Sequence, residues 1–369
     1  MEDRKQWARK NVPFIIIELI ALALSIGVLY VVTLTTRTVK KVDIDQSNIV
    51  INSSASDEPD NPGNGRTAGN ETLSTGTGVR NIALFGVDSR DGNLSKRTRS
   101  DTMIIASVDQ DAHEIRLVSI YRDTYLNLGN DTYSKANAAY AKGGPEQAIN
   151  MLNMNLDLDI TDYVTVGFEG LSEAVDALGG VEIDIAVDEI SHLNNYQRSM
   201  YVNEDGTGEL NEDIIEVYED GIQTLNGLQA TAYCRIRYTA GNDYKRAERQ
   251  RTVITKLLER ASSSSVSKLS KAAMAILPHV ETSLPADEIM KLLASASEYT
   301  VVASDGLPFE AYRYPAKLGV DGWCIVPVTL EANARALHEL LYPGVEYTPT
   351  ERVYEISSYI SDHCAPYMQ

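Results

Sequence analysis

From Val12 to Leu34 the chain is apolar except for Glu18 and a few small polar residues, a run long enough for a helix to cross a hydrocarbon layer about 30 Å thick. Whatever folds after such a run does so tethered to one side of a membrane. A cleaved signal peptide would have a shorter apolar region and a small-residue cleavage site, whereas Thr35, Thr36 and Arg37 follow here with no clear Ala-x-Ala. Arg4, Lys5, Arg9 and Lys10 precede the run and Arg37, Lys40 and Lys41 follow it. The positive-inside bias is small but puts residues 1–11 in the cytoplasm and the chain after residue 34 outside the cell. Glu18 lies about one turn inside the span, where headgroups can reach it, so it reads as a tolerated charge rather than part of an ion pathway.

Residues 35–78 read as a flexible extracellular linker. Between about Gln46 and Gly78 the sequence is Ser, Asn, Asp, Gly, Thr and Pro with almost no large apolar residue, too little to offset the entropy of ordering. Hydrophobic patterning begins at Val79. Asn81–Val87, Asp101–Val108 and Glu114–Ile120 are β-prone runs separated by turn-rich or charged stretches. Lys135–Leu156 reads as helix broken at Gly143-Gly144-Pro145. A strand over Tyr163–Phe168, a helix over Glu169–Leu178, a strand over Val181–Ile185, a loop over Asn203–Gly208, and helices over Gly227–Arg235 and Tyr244–Ala261 follow. Strands alternating with helices predict an α/β layered domain over 79–262. The composition changes at a serine run, and residues 263–369 are either an elaboration of that domain or a small additional region.

A net charge of -19 gives a surface that repels nucleic acid, because DNA binding draws its affinity from basic residues meeting phosphates. The three cysteines, Cys234, Cys324 and Cys364, are too few for a disulfide framework and fit no zinc spacing. Cys234 reads as a small buried residue, and a Cys324–Cys364 pairing stays open. The five histidines are scattered, and there is no phosphate loop, His-Glu-x-x-His helix or Gly-x-Ser-x-Gly elbow.

What stands out is carboxylates at strand ends and a cluster of arginines on an acidic protein. Asp88 follows one strand and Asp101 opens the next, so neighbouring strand ends could bring them together. Two converging aspartates suit Mg2+, which takes one or two carboxylates and completes its shell with phosphate oxygens and water; aspartate at a strand boundary is otherwise a turn or cap residue. Arg235, Arg237, Lys245, Arg246, Arg249 and Arg251 are opposed locally only by Asp243 and Glu248. Guanidinium forks bind phosphate oxygens in pairs, so this segment suits a diphosphate. Arg246 and Gln250 fall in line with Val253 and Leu257 on the stripe expected to face the core, and an arginine there needs an anionic partner. Arg122 and Asp123, after the strand ending at Ile120, add another cation and carboxylate.

Through these same residues the chain resembles the LytR-CpsA-Psr family of Gram-positive cell-wall enzymes. The matching runs are Asn81–Arg90, Arg99–Met103, Ser119–Thr124, Lys135–Asn137 with Gly143-Gly144, Leu178–Val181, Leu225–Gly227, Ala232–Arg237 and Asp243–Arg251. They cover about Val79 to Ala261. The resemblance implies a three-layer α/β/α sandwich with a central mixed sheet, here preceded by one transmembrane helix. It implies a membrane-anchored phosphotransferase that moves a glycopolymer from a polyprenyl-diphosphate carrier to a peptidoglycan hydroxyl, with the polyprenyl chain in an apolar pocket and the diphosphate at its mouth. On that reading Asp88 and Asp101 hold Mg2+, or Mn2+ in its place. Arg122, Arg235, Arg237, Arg246 and Gln250 hold the phosphates, and Arg122, Asp123 and Arg246 act at the reacting group, with Asp123 a candidate base. Tyr121 stands where many members have proline and Ala138 where many have histidine, which bears on substrate choice more than on chemistry. A polyprenyl-diphosphate phosphatase and a non-catalytic wall- or lipid-binding protein are the competing readings.

Overall fold

Seven strands form one mixed sheet: β1 (Lys40–Lys41), β2 (Val79–Val87), β3 (Ser100–Asp109), β4 (Glu114–Ile120), β5 (Asp162–Gly167), β6 (Val280–Thr282) and β7 (Thr300–Leu307), in the order β1-β6-β5-β2-β3-β4-β7. The computed structural model describes residues 40–41, 44–52, 66–67, 78–87, 94, 99–200, 214–239 and 242–368. β2 runs antiparallel to β3 and parallel to β5, β3 and β4 are antiparallel, and β7 lies parallel to β4 at one edge. The two faces of β3 enter different cores. Met103 and Ile105 join Ala83, Phe85 and Val87 on one side, while Ile104 and Ala106 join Leu117 and Ile115 on the other. A strand covered on both faces is apolar almost throughout, which is why Thr102 to Val108 shows little alternation.

Helices cover both faces. On the first side lie α1 (Asn137–Leu156), α8 (Leu330–Leu341) and α9 (Glu351–Cys364), through Ile149, Leu152, Leu337, Ile356 and Ile360. The other side carries α2 (Phe168–Ala177), α5 (Asn242–Ser262) and α6 (Val266–Ile276), with Ile254 and Leu258 of α5 packed on Ile104 and Leu117. Beyond them an antiparallel pair, Val181–Ile185 with Gly221–Leu225, packs with α3 (Val187–Ser199) and α4 (Gly227–Arg235). One more helix, α7 (Ala286–Ser295), precedes β7. The expected break in α1 is present: Gly144 has φ +68°, a left-handed value that glycine adopts freely, and Pro145 follows. At the start of α4 the Asn226 side chain accepts from the Gln229 amide while the Gln229 side chain accepts from the Asn226 amide, a reciprocal cap that fixes where Arg235 emerges at the far end.

The structure departs from the sequence expectation for the linker and takes one of the two alternatives left open for residues 263–369. The stretch assigned to a flexible linker is partly docked: Ile49 is 1% exposed in the main core, and Asn150 of α1 accepts from Val50 N (2.8 Å) and donates to the Asn48 carbonyl (2.9 Å). One buried isoleucine, a side-chain amide that reaches across from α1 and a two-residue strand pair, Val50–Ile51 with Arg66–Thr67, do not form a pattern visible in sequence. The C-terminal stretch is an elaboration of the same domain, since it supplies β6, β7 and two helices of the main core. A three-residue strand and a parallel edge strand, each paired with residues more than a hundred positions away, have no local signature. Cys324 and Cys364 are buried free thiols rather than a disulfide, and Cys234 is buried as expected. Among the described residues no helix is long and apolar enough to cross a membrane. The expected span over 12–34 and the loop over Asn203–Gly208 lie outside the described residues.

Candidate active site

The site begins with an irregularity in the β2–β3 ladder. Phe85 pairs with Met103 and Gly86 with Thr102, but Val87 pairs with Ser100, which leaves Asp101 as the extra residue of a bulge. A bulge re-aims a side chain at the end of a strand, and here the side chain is a carboxylate. Glycine at 86 is needed for this approach, because a Cβ there would lie 2.8 Å from Thr102 Cβ. Asp88 lies outside the described residues; it directly follows Val87, whose ladder partner is the neighbour of Asp101.

Arg122, just past the end of β4, donates from Nη1 to Asp101 Oδ1 at 2.8 Å, and its Nε is 3.4 Å from Asp123 Oδ2. Lys135 Nζ holds the other Asp123 oxygen at 2.8 Å. From α5, Asp243 Oδ1 has three guanidinium groups around it: Arg246 Nη2 at 3.1 Å, Arg237 Nε at 3.3 Å and Arg122 Nε at 3.9 Å. Arg246 Nη2 also lies 3.5 Å from the Asp101 carbonyl, so strand and helix meet at this point. Arg122, Lys135, Arg237 and Arg246 are four cations against Asp101, Asp123 and Asp243, leaving one positive charge in excess among the described residues.

The cluster is not self-satisfied. Arg122 Nε, Arg246 Nε and Asp243 Oδ1 are buried and have no well-directed hydrogen-bond partner, a state that costs about 1–3 kcal/mol or more per group and calls for a ligand or water. Burial depresses the Arg246 guanidinium, and the neighbouring Arg122 and Arg237 push the same way against the attraction of Asp243 and Asp101. Burial would also depress Arg122, but Asp101, Asp123 and Asp243 together outweigh it and hold its pKa above the usual value. Arg122 is therefore held charged by its carboxylates, whereas burial works against the charge of Arg246 despite its pairing with Asp243.

Beside this polar cleft is an apolar cavity of about 240 Å3 between the sheet and the α2–α5 layer, walled by residues such as Leu84, Ile104, Val166, Leu171, Val253 and Leu257. Thr102 and Gln250 line both spaces and so mark the passage between them. Gln250 donates from Nε2 to the Cys234 carbonyl at 3.4 Å, which keeps its amide at this neck. The predicted core stripe of α5 is present, with Arg246 5% exposed and Val253 fully buried.

Not every expected residue joins the cluster. Arg235 lies 4.7 Å from the ring centroid of Phe168, which lines the cavity, and 5.5 Å from that of Tyr196, with no ion pair to Asp243 among the described residues. Arg249 and Arg251, part of the basic segment, turn inward: Arg249 pairs with buried Glu189 (2.6 Å) and donates to the Ile236 carbonyl and Thr239, and Arg251 donates to Ser304 Oγ. Sequence reasoning missed Asp243 as the hub, treating it as a counter-charge. Its place three residues before Arg246 on one helix was the available signal. Lys135, the partner of Asp123, was visible only within a matching run.

The LytR_cpsA_psr family pattern matches residues 40–322. The chain belongs to the LytR_cpsA_psr family. The match takes in β1, β6 and β7 as well as the stretch from Val79 to Ala261. Over 214 residues the chain is 33% identical to the polyisoprenyl-teichoic acid–peptidoglycan teichoic acid transferase TagU of Enterococcus faecalis, covering 57% of this chain and 63% of that protein. The chain spans somewhat less than two thirds of the length of such curated relatives. Among solved LytR_cpsA_psr structures, Bacillus subtilis TagV superposes with a TM-score of 0.56 at 26% identity over 74% of this chain and 99% of that one. TagT, crystallised with octaprenyl pyrophosphate, shares the fold at a TM-score of 0.53 and 18% identity, over 73% of this chain and 93% of that one.

Proposed function

We propose that this LytR_cpsA_psr protein is a phosphotransferase that moves a glycopolymer from a polyprenyl-diphosphate carrier to a hydroxyl of peptidoglycan. The observation that carries the reading is the junction of an under-neutralised arginine cluster with an apolar cavity, joined through Thr102 and Gln250. A ligand that fills both spaces has a strongly anionic head and a long apolar tail. The curated name of the TagU relative, a polyisoprenyl-linked polymer transferase, agrees with that chemistry.

In the proposed reaction the acceptor oxygen forms a bond to the phosphorus that carries the glycopolymer, and the bridging oxygen leaves on polyprenyl phosphate. Arg122 and Arg246 bind the two phosphates through their Nε and terminal N–H groups and stabilise the charge that develops on the leaving oxygens. Arg237 acts through Asp243, and Arg235 and Gln250 sit where the head meets the tail. Asp123 is the carboxylate closest in chain to Arg122 and the candidate acceptor of the hydroxyl proton. With Lys135 and Arg122 on its two oxygens, it also orients Arg122.

Asp101 and Asp88 would hold Mg2+. The bulge supports this assignment, since it presents the Asp101 carboxylate next to the strand end that leads into Asp88. A site with so few protein ligands suits an ion completed by phosphate oxygens and water, which would supply charge neutralisation at the diphosphate. The span over 12–34 would anchor the chain in the cell membrane with the folded domain outside, where a membrane-bound lipid and the wall are both within reach.

The test is transfer by the full-length protein in lipid vesicles from a synthetic polyprenyl-diphosphate glycan to a peptidoglycan oligosaccharide. Acceptor-dependent product with Mg2+, abolished by EDTA and by Asp101→Asn, is expected. Phosphate release at the same rate with and without acceptor would make the protein a phosphatase instead, and lipid binding without any turnover would make it a carrier protein.

A further inference from the structure

The chain joins the sheet much sooner than its composition implies. A free linker over residues 35–78 would let the domain stand off from a membrane by roughly 150 Å at full extension. Instead β1 begins at Lys40 and lies parallel to β6, with Lys40 opposite Glu281 and Lys41 opposite Thr282. The residues beyond it are held as well: Gln46 Nε2 donates to the Thr161 carbonyl at 3.2 Å, Asn150 brackets Asn48 and Val50, and Ile49 is buried. Between the apolar run that ends at Leu34 and the first strand there are then five residues, 35–39. The six Cα steps from Leu34 to Lys40 reach about 20 Å at most.

Strand register shows which part of the domain so short a connection holds near the bilayer. Glu281, opposite Lys40, is itself opposite Thr165 of β5, so Lys40 lies two strand spacings, about 10 Å, from Thr165. Val164 and Val166, on either side of Thr165, line the apolar cavity together with Phe168 and Gly170 of α2 and Ile276 of α6. This wall is across β2 from the Thr102–Gln250 neck, and it is within about 30 Å of the point where the apolar run ends. β1 also enters at the end of the sheet where Val280 pairs with Val166 and β5 gives way to α2. The surface there is the first turn of α2 and the Leu277–His279 turn, which pack closely: a Cβ on Gly170 would lie 3.0 Å from His279 Cβ, and Glu169 Oε2 is 3.2 Å from His279 Nδ1. The cavity itself is small. Its 240 Å3 falls below the roughly 300–1,000 Å3 of pockets that enclose a small ligand, so a long prenyl chain is not housed whole and its remainder needs apolar surroundings nearby.

Resting on the membrane span and the function proposed above, we propose that the β1–β6 edge of the sheet, with the first turn of α2 and the Leu277–His279 turn, is the face that lies against the phospholipid headgroups. The partner is the lipid surface itself. The short connection then holds the β5 side of the cavity toward the bilayer, where the rest of a prenyl chain stays, and turns the polar cleft at β3 and β4 away from it.

Two measurements on the full-length protein in phospholipid vesicles test this. In the first, a fluorophore is attached at Glu169→Cys, or at Ala112→Cys in the turn between β3 and β4 at the opposite end of the sheet; both positions are exposed and the native thiols are buried. Lipid carrying a spin label on its headgroup should quench position 169 several-fold more than position 112, and equal quenching, or more at 112, overturns the orientation. In the second, about 20 Gly/Ser residues inserted between Thr38 and Val39 lengthen the connection from five residues to about 25. KM for a long-chain polyprenyl-diphosphate donor in the same vesicles should rise about tenfold, following the −3/2 power of linker length, while KM for a water-soluble geranyl-diphosphate donor stays the same. A long-donor KM that does not change would show that the short connection does not set access to the bilayer, and overturns the proposal. If wild type transfers from neither donor, the transferase reading fails by itself and the quenching contrast still decides the orientation. Protein that washes off the vesicles at alkaline pH would remove the anchor, and this inference with it.

Discussion

Arg246 and Arg249 are three residues apart on α5, both about 5% exposed, and the structure predicts opposite consequences for replacing them with methionine. Removing Arg246 takes away a buried guanidinium already destabilised by burial and by Arg122 and Arg237. Its partner Asp243 stays paired, with Arg237 Nε at 3.3 Å and Arg122 Nε at 3.9 Å, so no carboxylate is stranded. Unfolding stability should therefore stay within about 1 kcal/mol of wild type, a change in Tm of about 2–4 °C or less for a domain of this size, and any shift should be upward. Activity should behave differently. Arg246 carries an unpartnered Nε at the proposed diphosphate site, and losing one preorganised donor of this kind typically lowers kcat by about 10²–10³, or about 2.7–4 kcal/mol. Removing Arg249 instead strands Glu189, which is 7% exposed and bound to Arg249 Nε at 2.6 Å, and also unpairs Thr239 and the Ile236 carbonyl. Breaking one side of a buried pair costs about 3–5 kcal/mol. Urea unfolding of both variants beside transfer assays on the folded fractions makes the comparison. An Arg246→Met protein that unfolds as early as Arg249→Met, or that transfers polymer at the wild-type rate, would refute the assignment of Arg246 to ligand rather than to the fold.

Three further outcomes follow from the same structure. Ala174→Phe places a ring in the apolar cavity; long-chain polyprenyl diphosphate should lose affinity while geranyl diphosphate keeps it, and retention of the long lipid in a flotation assay would show that the tail lies elsewhere. His338 is buried with Nε2 donating to the Leu156 carbonyl at 2.8 Å, and burial holds its pKa below the ordinary value. The unfolded chain therefore takes up a proton that the native imidazole resists, so stability should fall as pH drops below about 6.5, and His338→Asn should show a smaller difference in urea midpoint between pH 7.5 and 5.5 than wild type. Burial pushes the thiols of Cys234 and Cys324 up to about 12 and that of Cys364 to about 11. Native protein should be inert to a thiol reagent at pH 8 and yield three equivalents once unfolded; a count of one would mean a disulfide forms.

What the sequence determined by itself is local. The strands from Val79 to Ile120, the glycine break in α1 and the core-facing stripe of α5 follow from periodicity and from residues with restricted backbones, and each appears where the residues place it. Arg246 was legible as an unusual residue because an arginine on an apolar stripe signals an unmet electrostatic need without knowledge of its neighbours. Tertiary structure alone decided the distances between charges. Asp243 becomes the hub of three guanidinium groups only when β4, α4 and α5 converge, and Arg249 becomes structural only because Glu189 of α3 packs beneath it. The C-terminal strands were hidden for the same reason: β7 takes its place by pairing with β4 across nearly two hundred residues, and Arg313 reaches Tyr121 and Tyr244 through that long-range closure. Electrostatic energy depends on separation in space and on burial, and neither quantity is fixed by position along the chain.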